Sequence, residues 1–282
     1  MRFHPVIRRF LAGADGTAGG EEAVRQAARL ARITGAELEI VHVAHPLRSA
    51  VPGDAGERLR QADARLDAAG RVAEAEHLDP MLRLLVGEPA HVLANEARRT
   101  WTDVVCVGVD AGFLHRPHLQ GGVAAHLVHL GVRPTLVCRP APSRRRGWPR
   151  RILVAADGSP SSLEAVRLAA AIAAAAQGSL RILHAVPSGR HLGWDEEGRP
   201  IGLGPVESAR RVARSVGVDA AMEAAVGPPG PAVAAAAARW EADLVAVGDR
   251  GLPALGRLAL GSVSGWLLHH LDRSVLVARA AA

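Results

Sequence analysis

The sequence predicts an α/β fold: two tandem domains, each a parallel sheet of five short strands with helices on both faces. Three observations predict it. Short, continuously apolar runs alternate with helical stretches, as they do where strands are buried on both faces of a parallel sheet. The whole pattern is written twice in 282 residues. Turn residues, chiefly glycine, proline and Asp-Gly pairs, punctuate the runs at the intervals such a fold requires.

The duplication organises everything else. "FLAGADGTAGGEEAVRQAARLARITGAELEIVHV" in the first half is answered by "ILVAADGSPSSLEAVRLAAAIAAAAQGSLRILHAV" in the second. Asp15 corresponds to Asp157, Glu22 to Glu164 and His42 to His184, each 142 positions on. "VGEPAHVLANEARRTWTDVVCVG" matches "VGPPGPAVAAAAARWEADLVAVG" at an offset of 140, so the intervening loop differs by two residues. Each copy is of domain size. Residues 1–140 form the first, 151–282 the second, and 141–150 a linker rich in proline and arginine within "RPAPSRRRGWPRR".

In the second copy, "RILVAA" reads as a buried strand ended by the "DGSP" turn. Ser159 or Ser161 is suited to cap the next helix, over about 161–176, with Pro160 tolerated in its first turn and Glu164 near its positive end. "SLRILHAV" is the second strand, followed by a Gly- and Pro-rich loop over 187–204. A helix over about 205–216 leads to the strand "AMEAAV". After "GPPGP" a helix over about 232–240 precedes the strand "DLVAVG". A glycine-rich loop, a helix over 262–271 and the strand "SVLVAR" complete the copy. Right-handed crossovers put the loops that follow the strands along one sheet edge, where Asp157, the end of "LHAV" and the loop from Gly248 can converge on one crevice.

Composition narrows the function classes. Hydrophobic residues make up 49% of the chain, but no apolar run approaches the roughly 20 residues of a membrane span. The opening "MRFHPVIRRFLAGADG" does not make a secretory signal, so a cytoplasmic protein is expected. Cys106 and Cys138 lie in strand-like runs without metal-ligand spacing and read as buried, reduced thiols. The formal charge is +6, yet the 34 basic residues are all arginine and are scattered among 28 acidic ones. The one dense run, "SRRRGWPRR", falls in the linker and reads as a solvated segment rather than a nucleic-acid arm.

The segment "GDRGLPALGRLALGS", residues 248–262, carries the chemistry. Gly248, Gly251 and Gly261 let the backbone approach a ligand closely. Gly261, Ser262 and Val263 stand where a helix N-terminus presents donors and a favourable dipole to an anion. The bare turn remains the alternative: such loops also serve geometry alone, and Asp157 is explained almost as well as a turn and cap residue. Lysine is absent, so this is no Walker loop, and "GSVSG" has Val263 where a nucleophile elbow needs serine. His42 and His184 read as packed, hydrogen-bonded residues, and His269 and His270 as a helix end suited to the dipole.

The loop pattern G-x2-G-x9-G-S, the aspartate after the first strand and the "LHAV/VHV" end of the second resemble the universal stress protein family, over nearly the whole chain. The resemblance implies two tandem Rossmann-like domains of the adenine nucleotide α-hydrolase type. It also implies ATP, with or without Mg, as ligand of the second copy. Asp157 would stand at the adenosine end, with the Ala185 backbone against adenine. Gly248, Gly251, Gly261, Ser262, Val263 and Ser264 would hold ribose and phosphates, with Arg250 as a further anchor. No catalytic residue and no protein metal ligand is identified. A regulatory nucleotide-binding protein is therefore expected, with slow ATP hydrolysis or a ligand-free interaction scaffold as alternatives.

The first copy departs from the pattern. Its loop "GVDAGFLHRPHLQGG" keeps Gly108 and Gly121 but has Ala111 for the second glycine and Gly122 for the serine. Any first-domain site, at Asp15, Val43, Gly108 and Gly121, is expected to be weak or absent, with Asp15 serving as a turn residue. The resemblance further implies an intrachain pseudo-dimer through the apolar last strands "TLVCR" and "SVLVAR", which pairing would cover. A homodimer is left open.

Overall fold

Phe10, Leu11 and Ala12 in one half of the chain, and Ile152, Leu153 and Val154 in the other, are wholly removed from solvent. These are the first strands of two α/β units, Met1–Pro140 and Ala141–Ala282. The computed structural model describes residues 7–44, 55–109, 122–140, 147–186, 193–194, 200–201, 204–251 and 260–280.

The first unit runs β1 (Arg9–Gly13), α1 (Ala18–Thr34), β2 (Glu37–Ala44), α2 (Ala55–Ala75), β3 (Met81–Val86), α3 (Pro89–Arg99), β4 (Val104–Gly108), α4 (Val123–Leu130) and β5 (Thr135–Cys138). Its strands are all parallel, in the order β3-β2-β1-β4-β5. Thr17 caps α1 by accepting from the Gly20 N–H at 3.1 Å, and Gly35 ends it in the left-handed conformation at φ 71°. Ala23, Ala27 and Ala31 are fully buried along one stripe of α1. Their small side chains let the helix lie close on the sheet.

The second unit repeats the plan: β6 (Arg151–Ala155), α5 (Pro160–Ala176), β7 (Ser179–Val186), the two-residue antiparallel pair β8 (Gly193–Trp194) and β9 (Pro200–Ile201), α6 (Gly204–Ser215), β10 (Ala221–Val226), α7 (Pro229–Arg239), β11 (Leu244–Gly248), α8 (Ser262–His270) and β12 (Ser274–Ala278). The main strands are parallel in the order β10-β7-β6-β11-β12. The edge strands β3 and β10 leave Met81, Val86, Met222 and Val226 exposed, whereas the strands nearer the centre are buried.

Two boundaries differ from the sequence expectation. The pair β8–β9 lies within the stretch read as loop. Helix α7 begins at Pro229, about three residues earlier than expected, because prolines fit a first helical turn whose N–H groups need no intrahelical partner. Close packing favours this early start: a β-carbon on Gly230 would stand 2.8 Å from the Trp266 ring of α8.

In both units the first strand lies beside the fourth, and one carboxylate fixes the junction. Asp103 accepts from the N–H groups of Arg8 and Arg9 at 2.7 and 3.0 Å. Asp243 accepts from Arg150 and Arg151 at 2.8 and 2.9 Å. Beyond these strands the chain turns toward opposite sides of the sheet, which opens a crevice at their carboxyl ends.

Candidate functional site

In the second unit that crevice is a cleft of about 580 Å³. This is within the range of small-ligand sites. All nine residues singled out in the second copy line it: Asp157 from the β6–α5 turn, Ala185 from β7, Gly248 from β11, Arg250 and Gly251 just beyond it, and Gly261, Ser262, Val263 and Ser264 at the start of α8. Residues 252–259 of the loop lie outside the described residues.

The glycines are required by close approach rather than by unusual torsions. A β-carbon on Gly248 would stand 2.8 Å from the Ser162 nitrogen at the start of α5. On Gly251 it would stand 2.6 Å from Oδ2 of Asp157, and on Gly261, 2.9 Å from the Asp249 carbonyl oxygen. At Gly248 and Gly261 the crowding atoms are backbone, so a larger residue there forces the chain itself to shift, whereas at Gly251 it would displace the Asp157 carboxylate.

A hydrogen-bond frame holds the loop. The Gly261 N–H donates to the Asp249 carbonyl at 2.7 Å, and the buried Ser264 hydroxyl donates to the same carbonyl at 3.2 Å and to that of Gly261 at 3.0 Å. Across the crevice, Ser159 Oγ donates to the Arg250 carbonyl at 3.1 Å and Ser161 Oγ to Asp249 Oδ1 at 2.6 Å. Asp249 is also 3.7 Å from Arg250 Nε and 3.8 Å from Arg279 Nε. Sequence reasoning missed Asp249 and took Ser161 only as an alternative cap to Ser159, which is the residue that caps α5. Neither Asp249 nor Ser161 belongs to the glycine pattern, and only the pairing of β6 with β11 brings them together.

Four helices begin at the cleft, α6 contributing Pro205, and the first turns of the other three differ. In α5 the N-terminus is satisfied internally: Ser159 Oγ accepts from the Ser162 N–H at 3.3 Å, while Asp157 Oδ1 accepts from the Ser159 N–H at 2.9 Å. In α7 the first turn contains Pro229 and Pro231, which have no N–H to offer. In α8 the cap is Gly261, which supplies no side-chain acceptor. Ser262 and Val263 therefore bring first-turn N–H groups without a side-chain cap, and a positive dipole end, to the cleft. Leu183, Val233, Val247, Pro205 and Pro229 add apolar lining. The cleft thus offers helix-start donors suited to an anion together with apolar surface.

A family model described as the universal stress protein family matches residues 7–139 and again 149–279. The chain belongs to the universal stress protein family. Universal stress protein Sll1388 of Synechocystis is 44% identical over 61 residues, which are 22% of this chain and 40% of that protein. The match thus spans well under half of that relative's length. Universal stress protein Slr1101 of the same organism is 32% identical over 76 residues, 27% of this chain and 70% of that protein. Among solved structures, a universal stress protein from Archaeoglobus fulgidus aligns with 97% of this chain and 96% of its own at a TM-score of 0.76 and 17% identity, a likeness of fold.

The two universal stress protein domains treat the corresponding crevice differently. In the first, Asp15 Oδ1 accepts from both the N–H and the hydroxyl of Thr17, at 2.9 and 2.7 Å. Gly20 is so close that a β-carbon there would lie 2.3 Å from the same oxygen. Asp15 is thus folded over the start of α1 as a turn residue. At Gly108 a β-carbon would lie 1.9 Å from the Gly19 carbonyl oxygen, a tighter approach than at Gly248. Val43 is half-buried near the end of β2, and Gly121 lies outside the described residues.

The repeated histidines are held by hydrogen bonds to the backbone, and His184 also lines the cleft. His42 Nδ1 donates to the Ala14 carbonyl at 2.6 Å and His184 Nδ1 to the Ala156 carbonyl at 2.7 Å, since a carbonyl can only accept. Each ties the end of the second strand to the end of the first. His270 Nδ1 pairs with the Trp266 carbonyl at 2.8 Å near the end of α8. Cys106 and Cys138 are buried on adjacent strands and neither is in a disulfide. Burial and the neighbouring Cys106 thiol raise the Cys138 pKa well above its ordinary value, which makes it unreactive.

Proposed function

We propose that residues 151–282 bind an adenine nucleotide, ATP in the first instance, with or without Mg. In this reading occupancy of the cleft alters conformation or partner choice, and rapid turnover is not its purpose. The observation that carries it is the uncapped N-terminus of α8, which meets Gly251 and Asp157 across a cleft of ligand size. Phosphates would lie on the Ser262 and Val263 N–H groups with Arg250 nearby, and ribose along Gly248 and Gly251. Adenine would lie among the apolar residues by the Ala185 backbone, with Asp157 at the adenosine end. Membership of the universal stress protein family and the family's loop pattern in the second copy support the same assignment.

The first domain is expected to bind nucleotide weakly or not at all, because its loop lacks the second glycine and the serine. Mass spectrometry of gently purified, then denatured protein tests the proposal, together with thermal shift by ATP-Mg. Co-purifying adenine nucleotide or an upward shift is expected. Neither signal at millimolar ATP would overturn it.

A further inference from the structure

Glu88, His91 and His126 of the first unit lie on the surface with one ligating atom from each within 4.8 Å of the others. Glu88 precedes α3 and His91 is in its first turn, with Glu88 Oε2 2.8 Å from His91 Nδ1. His126 is in the first turn of α4, and its ring meets that of His91 edge to face, with centroids 4.8 Å apart. Two imidazoles and a carboxylate make up a His2Glu ligand set, with a fourth position left for water.

The ligand spacing suits such a set. Metal–ligand bonds of about 2.0–2.2 Å in a tetrahedron place ligand atoms roughly 3.3 Å apart. The Glu88–His91 pair is already at 2.8 Å. His126 can close the remaining gap by a rotamer adjustment, because all three side chains are exposed.

The second copy is an internal control. At an offset of 140, Glu88, His91 and His126 correspond to Pro228, Pro231 and Trp266, none of which offers a side-chain ligand of this kind. There the Trp266 ring fills the corner between α7 and α8 against Gly230. The same corner between α3 and α4 instead holds three ligating residues, two from the start of α3 and one from α4. Capping of α3 needs only Glu88, which accepts from the His91 N–H at 3.0 Å, and leaves both imidazoles unexplained.

We infer that Glu88, His91 and His126 form a binding site for a divalent transition-metal ion of the zinc type. Imidazole ligands favour such an ion over magnesium or calcium. The inference does not depend on nucleotide binding, since every ligand belongs to the first unit.

The test is isothermal titration of Zn2+ into untagged, chelator-stripped full-length protein, compared with His91→Ala/His126→Ala and with His126→Trp, which installs the second copy's residue. Circular dichroism checks that each variant is folded. One Zn2+ site is expected, weakened at least about tenfold in His126→Trp and lost in the double variant, while a large excess of Mg2+ does not compete. Absence of Zn2+ binding to the parent protein, or unchanged affinity in the folded double variant, would overturn the inference.

Discussion

Gly251 and Asp157 stand 94 residues apart in sequence, yet a β-carbon on the glycine would come within 2.6 Å of the aspartate's Oδ2. A side chain at position 251 would have to share this space with the Asp157 carboxylate, which would then have to move. Gly251→Val should therefore displace that carboxylate and weaken ATP binding at least about tenfold, or about 1.4 kcal/mol. Because Gly251 is exposed and outside any strand or helix, the melting temperature should change little. Calorimetric titration with ATP, alongside thermal melts, checks both parts. Retained affinity would reduce the loop to a turn.

Asp157 has a turn role in the structure and a proposed nucleotide role, and substitution can separate the two. Its Oδ1 holds the Ser159 N–H at 2.9 Å in the turn that starts α5. Asp157→Ala should lose that bond and about 1 kcal/mol of stability in urea unfolding, together with nucleotide affinity. Asp157→Asn keeps an acceptor for the turn and should preserve most of the stability.

Gly108 and Gly248 end corresponding strands but tolerate a methyl group differently. At Gly108 the added carbon would sit 1.9 Å from a backbone oxygen, at Gly248 2.8 Å from a backbone nitrogen. Gly108→Ala should cost about 2–4 kcal/mol, and Gly248→Ala distinctly less. Chemical denaturation of both variants tests the order; equal losses would contradict the difference in packing.

A pH dependence is built into the first unit at Glu39 and Glu96, both buried. Burial, followed by the neighbouring Glu96 carboxyl, raises the Glu39 pKa from an ordinary 4.5 to about 7, against the pull of Arg83 and Arg99. Hydrogen bonds from Arg99 hold Glu96 low. Between pH 4.5 and about 7 the folded protein therefore holds a proton that the unfolded chain has released. Stability contributed by this group falls as pH rises through that window and is level above it. Glu39→Gln should flatten the profile and raise stability at pH 8 by on the order of 1–3 kcal/mol. Urea unfolding at pH 5 and pH 8 measures the difference.

Much of this was legible in the sequence because it is local or periodic. Apolar runs such as "RILVAA" and "DLVAVG" can only be buried strands, and the Asp-Gly and glycine-rich segments mark the turns after them. The duplication adds a second reading of every element, and a right-handed parallel sheet then sends the marked loops to one edge. That is why the nine residues chosen from the second copy line one cleft.

What the sequence could not determine depends on contacts between distant strands and helices. Asp249 with Ser161, Glu39 with Glu96 and His91 with His126 become neighbours only when β6 pairs with β11, α3 packs on β2, and α3 packs on α4. The start of α7 at Pro229 was also hidden, because prolines read as breakers until packing against Trp266 reveals a first turn. The sequence by itself determined two copies of an α/β unit and a glycine loop poised over a helix start. Tertiary structure alone decided which acceptors meet which N–H groups across the strand ends, as Asp243 meets Arg150 and Arg151, because a hydrogen bond is a matter of which oxygen lies within about 3 Å of which N–H group.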